Sequence, residues 1–129
     1  MIVDTSAILA ILFAEPDAER YARAISDAPV CRMSVATFVE SSIVVESQTG
    51  DNGSRQWDQF FRRAGFILEP VTEEQAYAAR HAWSNFGKGR CTAKLNFGDC
   101  FSYALAKTLG EPLLFKGADF SQTDVSPAI

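Results

Sequence analysis

Apolar residues recur along the chain in short continuous runs that alternate with stretches of helical spacing. Ile2-Val3 is a brief apolar run ending at Asp4 and predicts a short buried strand. Ala7 to Phe13 follows as an apolar helix, with Ser6 as the expected cap. Pro16 opens a second helix carrying Ala18, Tyr21, Ala22 and Ile25 at i, i+3, i+4 and i+7. Pro29 and the run from Val30 to Met33 predict a second strand, and Ser34 caps a third helix reaching to about Gln48. Its expected inward stripe is Val35, Phe38, Val39 and Ile43. Glu40 lies about 100° round the helix from Val39, so it flanks that stripe.

Gly50-Asp51-Asn52-Gly53 reads as a loop. Beyond it, Trp57, Phe60, Phe61 and Ala64 mark an amphipathic helix whose aromatics suit a core or dimer contact better than base stacking. Phe66 to Val71 predicts a strand interrupted by Pro70. Thr72, Glu73 and Glu74 then open a helix with Ala76, Ala79, Trp83 and Phe86 on one face. Gly87-Lys88-Gly89-Arg90 breaks that helix, and a loop runs to Phe97. Gly98-Asp99 starts a helix carrying Phe101, Ala104, Leu105 and Leu109, and Gly110 ends it. Leu113 to Phe115 gives a further strand, with a last short one near Val125. Strands alternating with helices predict an α/β fold. We expect a single domain over residues 1–129, with a parallel central sheet of four to five strands and helices on both faces.

Composition narrows the class. The hydrophobic fraction of 47% fits a folded globular chain. No apolar run approaches the roughly 20 residues needed to span a bilayer, and the amino terminus lacks a basic leader, so the expected location is cytoplasmic, away from membranes. Cys31, Cys91 and Cys100 form an odd set at irregular spacing, which predicts free thiols. With His81 they lack the short spacing of a zinc site, and His81 itself is expected on an exposed helix face. The net charge of −4 excludes a globally basic nucleic-acid binder. Yet from Gln75 to Gly98 there is no acid, while Arg80, Lys88, Arg90 and Lys94 all lie there. Such a stretch suits phosphate binding, with Lys88, Arg90 and Lys94 as candidate contacts to an RNA backbone, against the plainer reading of a solvated basic loop.

The candidate chemistry rests on four carboxylates: Asp4, Glu40, Asp99 and Asp119. Each follows a predicted strand or opens a helix, and in a parallel sheet those places converge at the carboxyl ends of the strands. Each also has an ordinary reading: Asp4 and Asp99 as helix caps, Glu40 as a solvated helix residue, Asp119 as a turn residue. Glu46 and Asp124 need no more than such readings. Taken together, four acids at one edge call for a counter-charge, and a hard divalent cation supplies it.

Asp4-Thr5-Ser6, Glu40, the segment Leu95-Asn96-Phe97-Gly98-Asp99-Cys100 with Tyr103-Ala104-Leu105-Ala106 after it, and Leu114 to Phe120 together resemble the PIN-domain ribonucleases, specifically VapC-like toxins. The resemblance covers essentially the whole chain. It implies a Mg²⁺- or Mn²⁺-dependent endoribonuclease that is held inactive by a cognate antitoxin and usually forms a homodimer. It also makes Asp4, Glu40, Asp99 and Asp119 the catalytic and metal-binding quartet. Thr5, Ser6 and Asn96 become candidate supporting hydrogen bonders. Within that scheme Asp4 and Asp99 ligate metal, Glu40 binds or orients the attacking water, and Asp119 assists a second metal or acts through water. Three other readings are weaker. A phosphoacceptor receiver domain fits Lys116, but no acidic pair follows the first strand and no aspartate ends Phe66 to Val71. A catalytically silent PIN-like binding module sits poorly with an intact quartet. A PIN nuclease acting on DNA flaps would carry insertions not found here.

Overall fold

The computed structural model describes residues 1–89 and 93–129. The elements run β1 (Ile2–Val3), α1 (Thr5–Leu12), α2 (Ala18–Asp27), β2 (Arg32–Ser34), α3 (Val35–Ala64), β3 (Ile67–Glu69), α4 (Glu73–Phe86), α5 (Phe97–Leu109) and β4 (Leu113–Leu114), then a 3₁₀ turn (Phe120–Gln122). The four strands form one parallel sheet in the order β3-β2-β1-β4. The backbone near Pro127 adds an isolated parallel bridge to Leu113, beside the last strand foreseen near Val125. The α/β architecture read from the alternation is the one observed.

Period-two alternation along the short strands splits the core into two layers. Ile2 and Leu113 point into a cluster with Ala79, Ala82, Tyr103, Ala104 and Leu105, which belongs to α4 and α5. Val3 and Leu114 point the other way, to Ala7, Ile8, Tyr21, Met33, Val45 and Trp57. Helices therefore cover both faces. Trp57 is fully buried and is ringed by Phe38, Phe60, Phe61 and Phe66, which gives this aromatic group a core role.

Several local expectations change. Asp4, rather than Ser6, caps α1: its Oδ2 accepts the Ser6 backbone N–H at 2.9 Å. The helix after Pro16 begins at Ala18. The Gly50–Gly53 loop shrinks to one residue. Gly50 takes φ 68° and ψ −160°, open to glycine but strained for other residues, and helical structure resumes at once.

The inward face of α3 differs most. Val39 and Ile43 are 53% and 59% exposed and Val35 is also exposed, whereas Thr37, Ser41 and Val45 are buried. Small hydroxyl residues win because they satisfy themselves while allowing close packing. Ser41 Oγ donates back to the Thr37 carbonyl at 2.9 Å, and the Thr37 hydroxyl meets that of Ser102 on α5 at 3.1 Å. On α4 the buried residues are Gln75, Ala79 and Ala82, and Trp83 of the expected stripe is partly exposed. Among the described residues no helix is long and apolar enough to cross a membrane.

Candidate active site

Asp4 leaves β1 at the carboxyl edge of the sheet and is 2% exposed. Its Oδ2 accepts both the backbone N–H and the hydroxyl of Ser6, at 2.9 and 2.7 Å, and its Oδ1 accepts the Ser102 hydroxyl at 2.6 Å. An ionised carboxylate offers about four acceptor positions, so Oδ1 keeps one lone pair for a further partner. Asp4 is thus a cap and a candidate ligand at once. Ser6 Oγ also accepts the Lys116 backbone N–H at 3.0 Å, tying the end of β4 to the start of α1.

Glu40, on the second turn of α3, accepts the Thr5 hydroxyl at 2.6 Å through Oε1. Its Oε2 occupies the space where a side chain at Gly98 would begin, so a Cβ there would overlap the carboxylate. Glycine at 98 therefore makes room for Glu40. Burial first, then the nearby Asp4 charge, push the Glu40 carboxyl up, more than the Thr5 hydrogen bond lowers it. Asp99 is the third residue of α5 and forms a reciprocal capping box with Asn96. Asn96 Oδ1 accepts the Asp99 N–H at 2.8 Å, and Asp99 Oδ2 accepts the Asn96 N–H at 2.9 Å. Burial pushes the Asp99 carboxyl up to about 7 despite that bond, and Asp4, Glu40 and Asp119 all add to the rise. Asp119 is exposed ahead of the 3₁₀ turn and makes no capping bond there.

The four acids therefore feel one another, and among the described residues no Lys or Arg pairs with any of them. Lys116, which follows β4, is instead held by Glu15 and Asp17. Its commitment to those two acids removes the one residue that favoured a receiver domain.

Comparisons with known proteins show the family. A family model described as the PIN domain matches residues 1–126. The chain belongs to the PIN-domain family. Among its PIN-domain relatives, the Mycolicibacterium smegmatis protein named Ribonuclease VapC is 53% identical over 126 residues, which is 98% of each chain. Ribonuclease VapC28 of Mycobacterium tuberculosis is 52% identical over 130 residues, covering 100% of this chain and 98% of that one. Among solved structures, Mycobacterium tuberculosis VapC20, described as a toxin that cleaves the sarcin–ricin loop, superposes with a TM-score of 0.78 at 20% identity. That match covers 96% of this chain and 95% of the other, and it shows the shared fold.

The donor set of this PIN domain suits a hard divalent cation. All four groups are oxygen donors, their repulsion is uncompensated among the described residues, and Asp99 Oδ1 accepts no bond there. Among the described residues no three acids, cysteines or histidines stand close enough together to hold a metal ion between them.

Of the supporting residues expected, Thr5, Ser6 and Asn96 each bond one of the quartet. Ser102 was missed, although it holds Asp4 Oδ1 and is fully buried. Its position three residues after Asp99, on the first turns of the same helix, was the available signal. Lys88 and Lys94 are exposed at the two ends of the loop before α5, and the loop base is closed by Lys88 N–H to Leu95 O at 2.8 Å. Arg90 and Cys91 lie outside the described residues. Burial first, then Asp99, push the Cys100 thiol up to about 11, so it is no nucleophile. His81 is exposed, and Asp124 is engaged by Tyr103 and Lys107 away from the quartet.

Proposed function

We propose that this chain is an endoribonuclease toxin that cleaves RNA phosphodiester bonds with Mg²⁺ or Mn²⁺ and is restrained by a cognate antitoxin. The observation that carries the reading is the convergence of Asp4, Glu40, Asp99 and Asp119 on the carboxyl edge of the sheet, with no Lys or Arg paired to any of them among the described residues. Relatives at about half identity that are named VapC ribonucleases support the same reaction.

Asp4 and Asp99 are the proposed ligands, through the acceptor positions their hydrogen bonds leave open. When bound, such a cation neutralises charge on the phosphoryl group and acidifies water. Glu40, held by Thr5 on one oxygen, uses the other to orient the attacking water and to receive its proton. Asp119 supplies a further carboxylate from the loop after β4. Ser102, Ser6 and Asn96 fix the orientations of Asp4 and Asp99. The location expected with this reading is cytoplasmic, and the expected assembly is a homodimer, which sedimentation of the free protein measures.

The deciding experiment incubates purified, antitoxin-free protein with total cellular RNA in Mg²⁺, Mn²⁺ or EDTA. Discrete cuts that need the metal support the proposal, and mapping their ends names the target. Folded protein that leaves RNA intact under every condition refutes it in favour of a binding-only PIN module.

A further inference from the structure

A groove between α4 and α5 adjoins the acidic edge, and no residue of the quartet occupies it. Its volume is about 650 Å³, within the range of small-ligand clefts. Trp83, Phe97 and Phe101 supply aromatic walls, and Arg80 and Lys88 supply charge. Asn96, whose side chain caps Asp99, also lines it and links the groove to the site.

Phe97 is the least expected feature. It opens α5 two residues before Asp99 and is 78% exposed, with its ring edge-on to Phe101 at 4.9 Å between centroids. Trp83 is 39% exposed on the facing helix. Large aromatic surfaces left this open gain free energy when something apolar and flat covers them. Among the described residues neither Arg80 nor Lys88 enters an ion pair, and no acid lines the groove. Aromatic faces flanked by unpaired cations match the chemistry of single-stranded nucleic acid, where bases stack and phosphates are neutralised. A second copy docked symmetrically on this groove would bring both sets of cations into one interface with no acid in the groove to pair them.

Resting on the ribonuclease reading, we propose that the groove is a nucleotide subsite. An unpaired base of the RNA stacks on Phe97 and Trp83, Arg80 and Lys88 hold the flanking phosphates, and the adjoining phosphodiester is presented to Asp99. The enzyme accordingly selects substrates with an unpaired nucleotide next to the cut.

Trp83 is a built-in reporter, because the other tryptophan, Trp57, is sealed in the core at 1% exposure. Asp99→Asn protein, expected to leave RNA intact, is titrated with two single-stranded RNAs of equal length, one natural and one abasic. Natural RNA is expected to quench tryptophan emission saturably and to bind at least about tenfold more tightly than abasic RNA. Adding Phe97→Ala, an exposed change that spares the core, removes most of that difference. Adding Arg80→Ala with Lys88→Ala instead weakens both RNAs and flattens the salt dependence. Equal affinity for the two RNAs overturns the subsite. So does a Phe97→Ala variant that binds RNA normally but loses self-association or antitoxin binding, which assigns the groove to a protein partner. If wild-type protein cuts RNA while these results go against the groove, only the subsite falls. If wild-type protein neither cuts nor binds RNA, the ribonuclease reading falls with it.

Discussion

At the amino-terminal side of the sheet, Glu111 receives the Met1 amino group at 2.6 Å and the Arg32 guanidinium at 2.9 Å, while Arg32 also reaches Glu69 at 2.7 Å. Burial alone would raise the Glu111 carboxyl, but those two cations outweigh it and hold it below its usual range. At the carboxyl-terminal side, Asp4, Glu40, Asp99 and Asp119 share one edge with no such partners among the described residues, and Asp99 is pushed up to about 7. Both ends bury charge in the same small fold. One end neutralises its acids within the chain and serves stability. The other leaves them unneutralised, which costs stability and persists where a bound ligand is to provide the missing charge.

The contrast is tested most severely by Asp99→Asn. Asparagine at 99 can still accept the Asn96 N–H, so the capping box survives while the charge is lost. RNA cleavage should fall by at least about a hundredfold with the fold retained, measured by end-mapped cleavage beside circular dichroism. Asp4→Asn is a poorer probe. Both Asp4 oxygens already accept bonds, so an NH₂ there would face a donor and the fold would weaken as well. Wild-type cleavage by Asp99→Asn would falsify the ligand assignment.

Gly98→Ala comes next. The new methyl overlaps the Glu40 carboxylate, the mobile end of a side chain, so Glu40 swings aside and the backbone stays. Activity should drop about tenfold or more with little change in melting temperature, and Glu40→Gln should show a comparable loss. A fully active Gly98→Ala enzyme would detach Glu40 from catalysis. Ser102→Ala should cost about 1–2 kcal/mol of stability by removing the buried donor to Asp4, along with about tenfold in activity as Asp4 loosens. Denaturant unfolding and kinetics on the same sample separate the two effects.

Subtler still is the pH dependence of the cation-free protein. The folded Asp99 carboxyl keeps its proton up to about 7, whereas the unfolded chain releases it near the ordinary 3.8. The associated stability is complete below about pH 4 and is lost as the pH rises to about 7. Melting in EDTA should therefore be several degrees lower at about pH 8 than at about pH 5.5, and either Mg²⁺ or Asp99→Asn should reduce the gap. Glu111→Gln, at the neutralised end, should leave that gap and RNA cleavage untouched while costing about 1 kcal/mol. Equal melting with and without Mg²⁺ at pH 8 would count against a cation at the acidic edge.

How much of this was legible in the sequence depended on whether a residue acts through its type or its surroundings. The alternation of strands and helices, the break at Gly110 and the capping role of Ser34 follow from local chemistry and were readable. So were the four acids, because elements of a parallel sheet deliver their carboxyl ends to one edge. The inward face of α3 was misread because a hydrophobicity pattern counts Thr37 and Ser41 as polar, whereas packing against Ser102 rewards their small size and their bonds back to the helix. Ser102 itself was invisible for the same reason. Nothing in one serine's identity says that it lies 98 positions away from its partner, Asp4. Phe97 was seen as part of a motif, but only the structure shows its ring left in the open.

The position of β4 in the sheet has a consequence in time. β1 is flanked by β2 on one side and on the other by β4, the strand of this sheet that comes latest in chain order. Asp4 is made well before its Ser102 donor, 98 positions further on, and before the Asp99 carboxylate and the Lys116 amide that bonds Ser6 across 110 positions. A growing polypeptide consequently carries scattered acids and no assembled centre. The centre is complete only once that later segment has folded back and β4 has paired with β1.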